Sequence, residues 1–373
     1  MSQSLLDSPT WESAEVEPKS KWLGDALMQR EDCRILCLLN EIRSMGWSSN
    51  TVDRHFREQR FNSDHVKHEN TDLNWCKIMY DSLQYMDLAN GRFVRTERFL
   101  DLGSNPGGYA SYILRTCPYA TGVGISLPIE DAGHGCAIPG PLRSRINIHE
   151  LDLTLIDLAP TKPKPGTSHI SGSRALALHL SPFPFRPHEF DFIVCDAHHL
   201  RLHPDNAIRA WNWNRILISQ ILLALRAVQP GGTIFLKLSC VERALTARIL
   251  IAFTRIAGYT HTVKSKLLHR KRGSFYLLSK GIKTHTSAYR LLVDGLQNLW
   301  YIMTFGGPQG FGRDMTWDEQ DLITPWDEVM KPAGVNHIAR LGKPMWNIQY
   351  YALLKFLKEQ GVIYDDSDCD DSA

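Results

Sequence analysis

Apolar and polar positions follow two rhythms along this chain. From Lys21 to about Met45, residues Trp22, Leu27, Ile35, Leu38, Leu39 and Ile42 recur at helical spacing, and a second helical stretch runs from about Leu73 to Leu88. Between them, residues 48–70 are charged, rich in histidine and without a core face. From about Glu97 to Gly281 the rhythm changes. Short apolar runs occur at "RFLDL" (98–102), "TGVGISL" (121–127), "INIHEL" (146–151), "FDFIVCD" (190–196), "TIFLKLS" (233–239) and "SFYLLSKG" (274–281). Amphipathic stretches at 107–116, 206–228 and 241–257 interleave with them. Strands alternating with helices predict a parallel α/β sheet, since each parallel strand needs a crossover to bring the chain back. Helical rhythm returns after Gly281, over roughly 286–303 and 344–359.

Composition narrows the class. The chain is 43% hydrophobic and 22% charged, which suits a soluble protein with one large core and additions to it. Forty-two basic residues stand against 40 acidic ones, a formal charge of +2, so no global field attracts nucleic acid. Basic surface must be local, as at "RSR" (143–145) and "HRKRG" (269–273). The start is polar and acidic, unlike a targeting peptide, and "ILISQILLALRAV" is too short to span a bilayer. Of eight cysteines only Cys33 and Cys37 lie close together, and no second pair completes a zinc set. Reduced thiols and an intracellular setting, cytoplasmic or nuclear, are the expectation, with no membrane partner and no metal. The expected organisation is a disordered start (1–20), a helical extension (21–72), an α/β domain (73–284), a second helical extension (285–360) and an acidic tail (361–373). Residues 159–175, rich in Pro, Gly and Ser, read as an inserted surface loop. Trp300, Trp317, Trp326 and Trp346 read as core of the second extension rather than as stacking platforms.

The densest chemistry lies at "FLDLGSNPGGYASYIL" (99–114), a strand, a glycine-rich turn and a helix. Such a turn lets a ligand approach bare backbone at a strand's carboxyl end, and Asp101 reads as part of the ligand network. The spacing is neither G-x-x-x-x-G-K-[ST] nor a clean G-x-G-x-x-G, which removes a P-loop and weakens a dinucleotide reading. The form D-L-G-x-x-P-G-G-[YFW] resembles the first motif of S-adenosylmethionine-dependent methyltransferases, specifically the FtsJ-like ribose 2'-O-methyltransferases of RNA. Further motifs follow in the family's order over about residues 74–282. "FDFIVCDAHHL" places Asp196 at the family's catalytic aspartate, and "LRAVQPGGTIFLKLS" places Lys237 at its catalytic lysine. "HELDLTLIDL" places Asp152 at the aspartate that meets the adenine base, and "NWCKIMY" places Lys77 at the first lysine.

The resemblance implies a Rossmann-like α/β sheet, mostly parallel with the last strand antiparallel. It implies S-adenosyl-L-methionine held by Asp101, Gly103, Asn105, Pro106, Gly107, Gly108, Tyr109, Ser126, Asp152 and Asp196. RNA is the implied partner, with Lys237 assisting loss of the hydroxyl proton, Asp196 orienting it and Lys77 holding the target. On chemical grounds, a lysine inside the apolar run "TIFLKLS" is costly unless paired, which marks Lys237 independently. Three departures stand out. Ser274 lies where the family has a catalytic glutamate, two residues before an aromatic. Ser126 lies where the family ends its second strand with an acidic residue, and "AHHL" follows Asp196 in an unusual form. Glu242 would replace the missing carboxylate only if its loop folded inward. His198, His199 and His203 read as substrate-side loop residues rather than metal ligands. Three readings therefore stay open: an RNA methyltransferase with an altered site, a non-catalytic member that binds cofactor, RNA or protein, and a methyltransferase for a small-molecule acceptor.

Overall fold

The structure is a computed structural model that describes residues 18–65, 70–164, 178–198, 211–308 and 310–363. Most of the expected disordered start, insertion and acidic tail lies outside the described residues, as do His199 and His203. The chain opens with α1 (Pro18–Met28), α2 (Arg34–Trp47), α3 (Asn50–His65) and α4 (Thr71–Ala89). Then come β1 (Arg98–Leu102), α5 (Gly108–Thr116), β2 (Thr121–Ser126), α6 (Gly140–Arg143), β3 (Ile146–Glu150) and β4 (Phe190–Cys195). The second half of the sheet region holds α7 (Asn212–Ala227), β5 (Val228–Ser239), α8 (Ala244–Ile256), β6 (Tyr259–Val263) and β7 (Ser274–Lys280). Helices α9 (Ser287–Phe305), α10 (Trp326–Met330) and α11 (Pro332–Glu359) close it.

The strands form one sheet in the order β3-β2-β1-β4-β5-β7-β6. β1 to β5 pair in parallel, and β7 runs antiparallel to both β5 and β6, as the resemblance implied. Period-two alternation sorts the side chains onto two faces. Phe99, Phe192, Val194 and Phe235 pack on one face against Leu83 and Met86 of α4 and Ile113 of α5. Leu100, Ile193, Ile234 and Leu236 pack on the other against α7, α8 and α9. Leu23, Leu27 and Leu39 from the first extension and Trp346 and Phe356 from the second join this same cluster. Trp300, Trp326 and Trp346 are buried in it, whereas Trp317 is exposed.

Several elements differ from the sequence expectation for physical reasons. The 21–45 stretch breaks near Arg30, whose guanidinium meets Asp32 and Asn336 of α11, and a 3₁₀ turn at Glu31–Cys33 joins α1 to α2. Residues 50–65 form α3 despite their charge, with Val52 buried and Phe56 set against Phe356 at 5.7 Å. β6, "YTHTV", escapes a search for apolar runs because only Thr260, Thr262 and Val263 of this edge strand are buried. β5 begins at Val228 rather than Thr233, since Val228 pairs with Phe190 and the Pro-Gly-Gly segment is a register shift inside the strand. α11 begins at Pro332 and carries Pro344 in its interior, so one carbonyl a turn earlier loses its helical donor while the helix continues. Among the described residues, no helix is long and apolar enough to cross a membrane.

Candidate active site

β1 and β4 are neighbours, and from them the connections run outward in opposite directions along the sheet. That switch opens a crevice at the carboxyl ends of the strands, the place where open α/β sheets receive ligands. The glycine turn follows β1 directly into it. Gly103 has φ +86°, and a Cβ there would lie 2.7 Å from the backbone of Ala197, just past β4. Gly107 has φ +102°, and a Cβ would lie 2.2 Å from Ile138 Cγ1. The packing of the neighbouring chain thus favours glycine at both positions, whatever ligand the turn receives. Gly108 opens α5.

The turn's polar atoms tell a different story. Asp101 is buried at 1% exposure, and its Oδ2 has no hydrogen-bond partner among the described residues. Burial, followed by the charge of Asp196, pushes its carboxyl up to about 7. The Asn105 amide nitrogen donates to the His134 carbonyl at 2.9 Å, while its Oδ1 is buried and likewise without a partner. Its backbone N–H donates to Ser126 Oγ at 3.3 Å, tying the turn to the end of β2. The Pro106 carbonyl accepts from Ala137 N at 2.9 Å. Asp152 caps the short helix after β3, its Oδ1 accepting from Thr154 N and Oγ1, each at 2.8 Å. Asn105 and Ser126 therefore meet at the carboxyl ends of β1 and β2, Asp101 is buried near the end of β1, and Asp152 follows β3.

On the other side of the switch, Asp196 follows β4 and Lys237 lies near the end of β5. Lys237 Nζ meets Asp196 Oδ1 at 2.8 Å, with the aspartate side chain 5% exposed and the lysine 18%. Tyr276 on β7 is the cross-strand partner of Lys237, so their side chains share a face. Its hydroxyl donates to the same Asp196 Oδ1 at 2.9 Å. Tyr109 stands 2.6 Å behind it, oxygen to oxygen. Having given its own proton to Asp196, Tyr276 accepts from Tyr109. Burial, then the Asp196 charge, pushes both phenols well above their ordinary value, so both stay donors. The Phe235 ring stacks on Tyr276 at 4.4 Å and fixes its plane. Tyr109, expected at the cofactor, thus spends its hydroxyl on this relay. The buried carboxylate carries two donors, which offsets the cost of removing the pair from water.

Lys77 is not part of this cluster. It is exposed on α4, and no hydrogen bond or ion pair joins it to Asp196 or Lys237 among the described residues. Glu242 turns away as well: its carboxylate pairs with Arg43 at 2.8 Å and accepts from Trp346 Nε1 at 3.0 Å. Burial pushes Glu242 up, but the Arg43 charge and hydrogen bonds from the backbone, Arg43 and Trp346 together leave it below the usual range. Two histidines approach Lys237. Burial first, then the lysine charge, pushes His198 down and His269 to about 4, so both are neutral at pH 7. No group of three or more metal-binding side chains occurs among the described residues. Sequence reasoning missed Tyr276 and Lys264 and read His269 only as part of a basic patch. The aromatic two residues after Ser274 was a usable signal for Tyr276; Lys264 follows a strand that was itself unseen.

Sheet order, switch point and glycine turn define a doubly wound α/β protein of the methyltransferase type. The FtsJ-like methyltransferase family matches residues 83–282 of the 373, and the chain belongs to that family. Asp101, Asp196, Lys237 and Ser274 lie within the matched residues; Lys77 lies before them. No curated protein sequence matches the chain. Solved structures with a similar course include a Plasmodium falciparum protein described as a ribosomal RNA methyltransferase, at 17% identity and TM-score 0.36, covering 54% of this chain and 96% of that one. A Corynebacterium glutamicum protein described as a spermidine synthase gives 13% and 0.32, covering 67% and 77%. Phosphoethanolamine N-methyltransferase 1 of Haemonchus contortus, bound to phosphoethanolamine and S-adenosylhomocysteine, gives 13% and 0.33, covering 68% and 54%.

Proposed function

We propose that this protein transfers a methyl group from S-adenosyl-L-methionine to a ribose 2'-hydroxyl of RNA. The observation that carries the reading is the buried Lys237–Asp196 pair, at 2.8 Å, set across the switch point from the glycine turn. The residues present fit the cofactor. Asp101 Oδ2 and Asn105 Oδ1 are buried acceptors without partners, suited to an ammonium, and Asp152 keeps its second carboxylate oxygen for an adenine amine. The bound cofactor supplies an electrophilic methyl on a sulfonium.

The chain's own residues then have three tasks. Asp196, held by Tyr276, fixes Lys237 Nζ in place. Lys237 Nζ addresses the acceptor oxygen and, once it has released one proton to solvent, takes up the hydroxyl proton as a neutral amine while the oxygen is methylated. Lys77, on the exposed side of α4, is available to the RNA from solvent. The test is incubation with methyl-labelled cofactor and total RNA, then digestion to nucleosides. Label in 2'-O-methylnucleosides is the expected result. Label on bases, or only on small molecules, would replace RNA ribose with another acceptor.

A further inference from the structure

Beside the Lys237–Asp196 pair lies a small cavity lined by Ser82, Lys237, Lys264, His269, Ser274 and Tyr276. Its charges do not balance. Asp196 answers Lys237, but Lys264 has no carboxylate partner among the described residues. Lys264 is 5% exposed, and its Nζ donates to the carbonyls of Arg272, at 2.6 Å, and Ser274. An ammonium has three N–H groups, so one remains. Burial pushes Lys264 down to about 8, which still leaves it charged at pH 7. Ser274 Oγ is buried and also lacks a partner. Register puts Ser274 and Tyr276 on the same face as Lys237. The cavity is thus the space into which a glutamate at position 274 would extend. The loop around it, "KSKLLHRKRG" (264–273), holds five Lys or Arg residues and no acidic one.

A buried cation and an unused hydroxyl around an open space are half of an anion site, since leaving them unpaired is costly. We propose that the cavity is an oxyanion site that receives a phosphodiester oxygen of the methyl acceptor, hydrogen-bonded by Lys264 Nζ and Ser274 Oγ. The acceptor's phosphate then supplies the negative charge that a glutamate side chain supplies elsewhere in the family. Phosphate suits the place because it stays ionised at neutral pH and accepts from several donors at once. In RNA the phosphate on the 3' oxygen is one carbon away from the 2'-hydroxyl, so a hydroxyl at Lys237 brings a phosphate within reach. This inference rests on the ribose methyltransferase reading and specifies how that site selects its substrate.

The probe is inorganic phosphate, titrated into the full-length chain with and without S-adenosylhomocysteine and followed by calorimetry. Wild type is expected to bind one phosphate saturably. Ser274→Glu, which fills the cavity with its own carboxylate, should weaken this at least tenfold, and Lys264→Gln should do the same. Arg270→Gln, on the outer loop, should change it less than threefold. If Lys264→Gln fails to fold for want of its carbonyl contacts, Ser274→Glu decides alone. No binding by wild type, or equal binding by wild type and Ser274→Glu, overturns the site. Cofactor affinity is read on the same preparations. Bound S-adenosylhomocysteine without phosphate binding removes only the oxyanion site; phosphate binding that Ser274→Glu abolishes, without any cofactor binding, upholds the site and removes the methyltransferase reading.

Discussion

The two halves of the crevice keep their shape by different means. The half after β1 is a backbone construction: Gly103 and Gly107 are pinned by positive φ and by Ala197 and Ile138 at distances no side chain tolerates. The half at β4, β5 and β7 is a side-chain construction, with Tyr109, Tyr276, Asp196 and Lys237 joined in series. A backbone cradle changes only by breaking, whereas a side-chain network can lose one member and be repaired by another. Ser274, where the family resemblance calls for a glutamate, lies in this second half. The comparison teaches that the two halves of the crevice can be altered separately in this fold.

The largest effect should come from the side-chain half. Lys237→Ala removes the group that addresses the acceptor oxygen, and turnover should fall roughly 10³-fold, within the range for a lost acid–base group. Affinity for S-adenosylhomocysteine should stay within twofold, because among the described residues the ion pair of Lys237 is to Asp196, across the switch point from the glycine turn. Single-turnover methyl transfer and calorimetry on the same preparation check both. In the backbone half the failure should be structural. Gly107→Val combines a φ of +102° with a clash against Ile138, so thermal unfolding should show a loss of about 2–4 kcal/mol. A stable Gly107→Val protein that merely loses cofactor would contradict the chain-packing role given to this glycine.

Tyr276→Phe probes the side-chain network directly. Removing one hydrogen bond to a buried charge is worth about 1.5–3 kcal/mol, so kcat should fall roughly 10–100-fold with KM for cofactor unchanged. A rise in KM for cofactor together with the fall in kcat would instead mean that the packing of β7 had been disrupted.

The pH dependence of cofactor binding should be the mildest effect. The Asp101 carboxyl is raised from 3.8 to about 7, so the fold favours its protonated form. That contribution to stability is fully present below the unfolded value and is lost as pH rises through about 7. A ligand ammonium needs the carboxylate, so its binding has the opposite sign. Affinity should weaken about tenfold between pH 8 and pH 6. Asp101→Asn should flatten the profile. An unchanged profile in the variant would detach Asp101 from the ligand.

Much of this arrangement was legible in the residues. β1, β4 and β5 carry near-continuous apolar runs because both faces of the sheet are covered there, whereas the edge strand β3 was visible through Ile146, Ile148 and Leu151 despite its exposure. Asp196 and Lys237 were visible as polar residues at the ends of apolar strands. β6 was not, because an edge strand buries little and needs few apolar residues. Tyr276 was visible only as the aromatic two residues after Ser274; that its hydroxyl reaches an aspartate two strands away depends on the sheet order. The glycines were legible only in part: their spacing marked the turn, while the close approach of Ala197 and Ile138 depends on tertiary contacts that spacing cannot express. Lys77 matched its motif on sequence alone, yet α4 presents it to solvent outside the cluster.

The central claim, methyl transfer to a ribose hydroxyl by the Lys237–Asp196 pair, has a direct chemical readout. A methyl on the 2' oxygen blocks alkaline cleavage of the adjoining phosphodiester. RNA incubated with methyl-labelled cofactor and wild-type protein should therefore release its label in alkali-resistant dinucleotides, and Lys237→Ala should release none. Label recovered wholly in alkali-labile mononucleotides, or equal resistance with both proteins, would contradict the account.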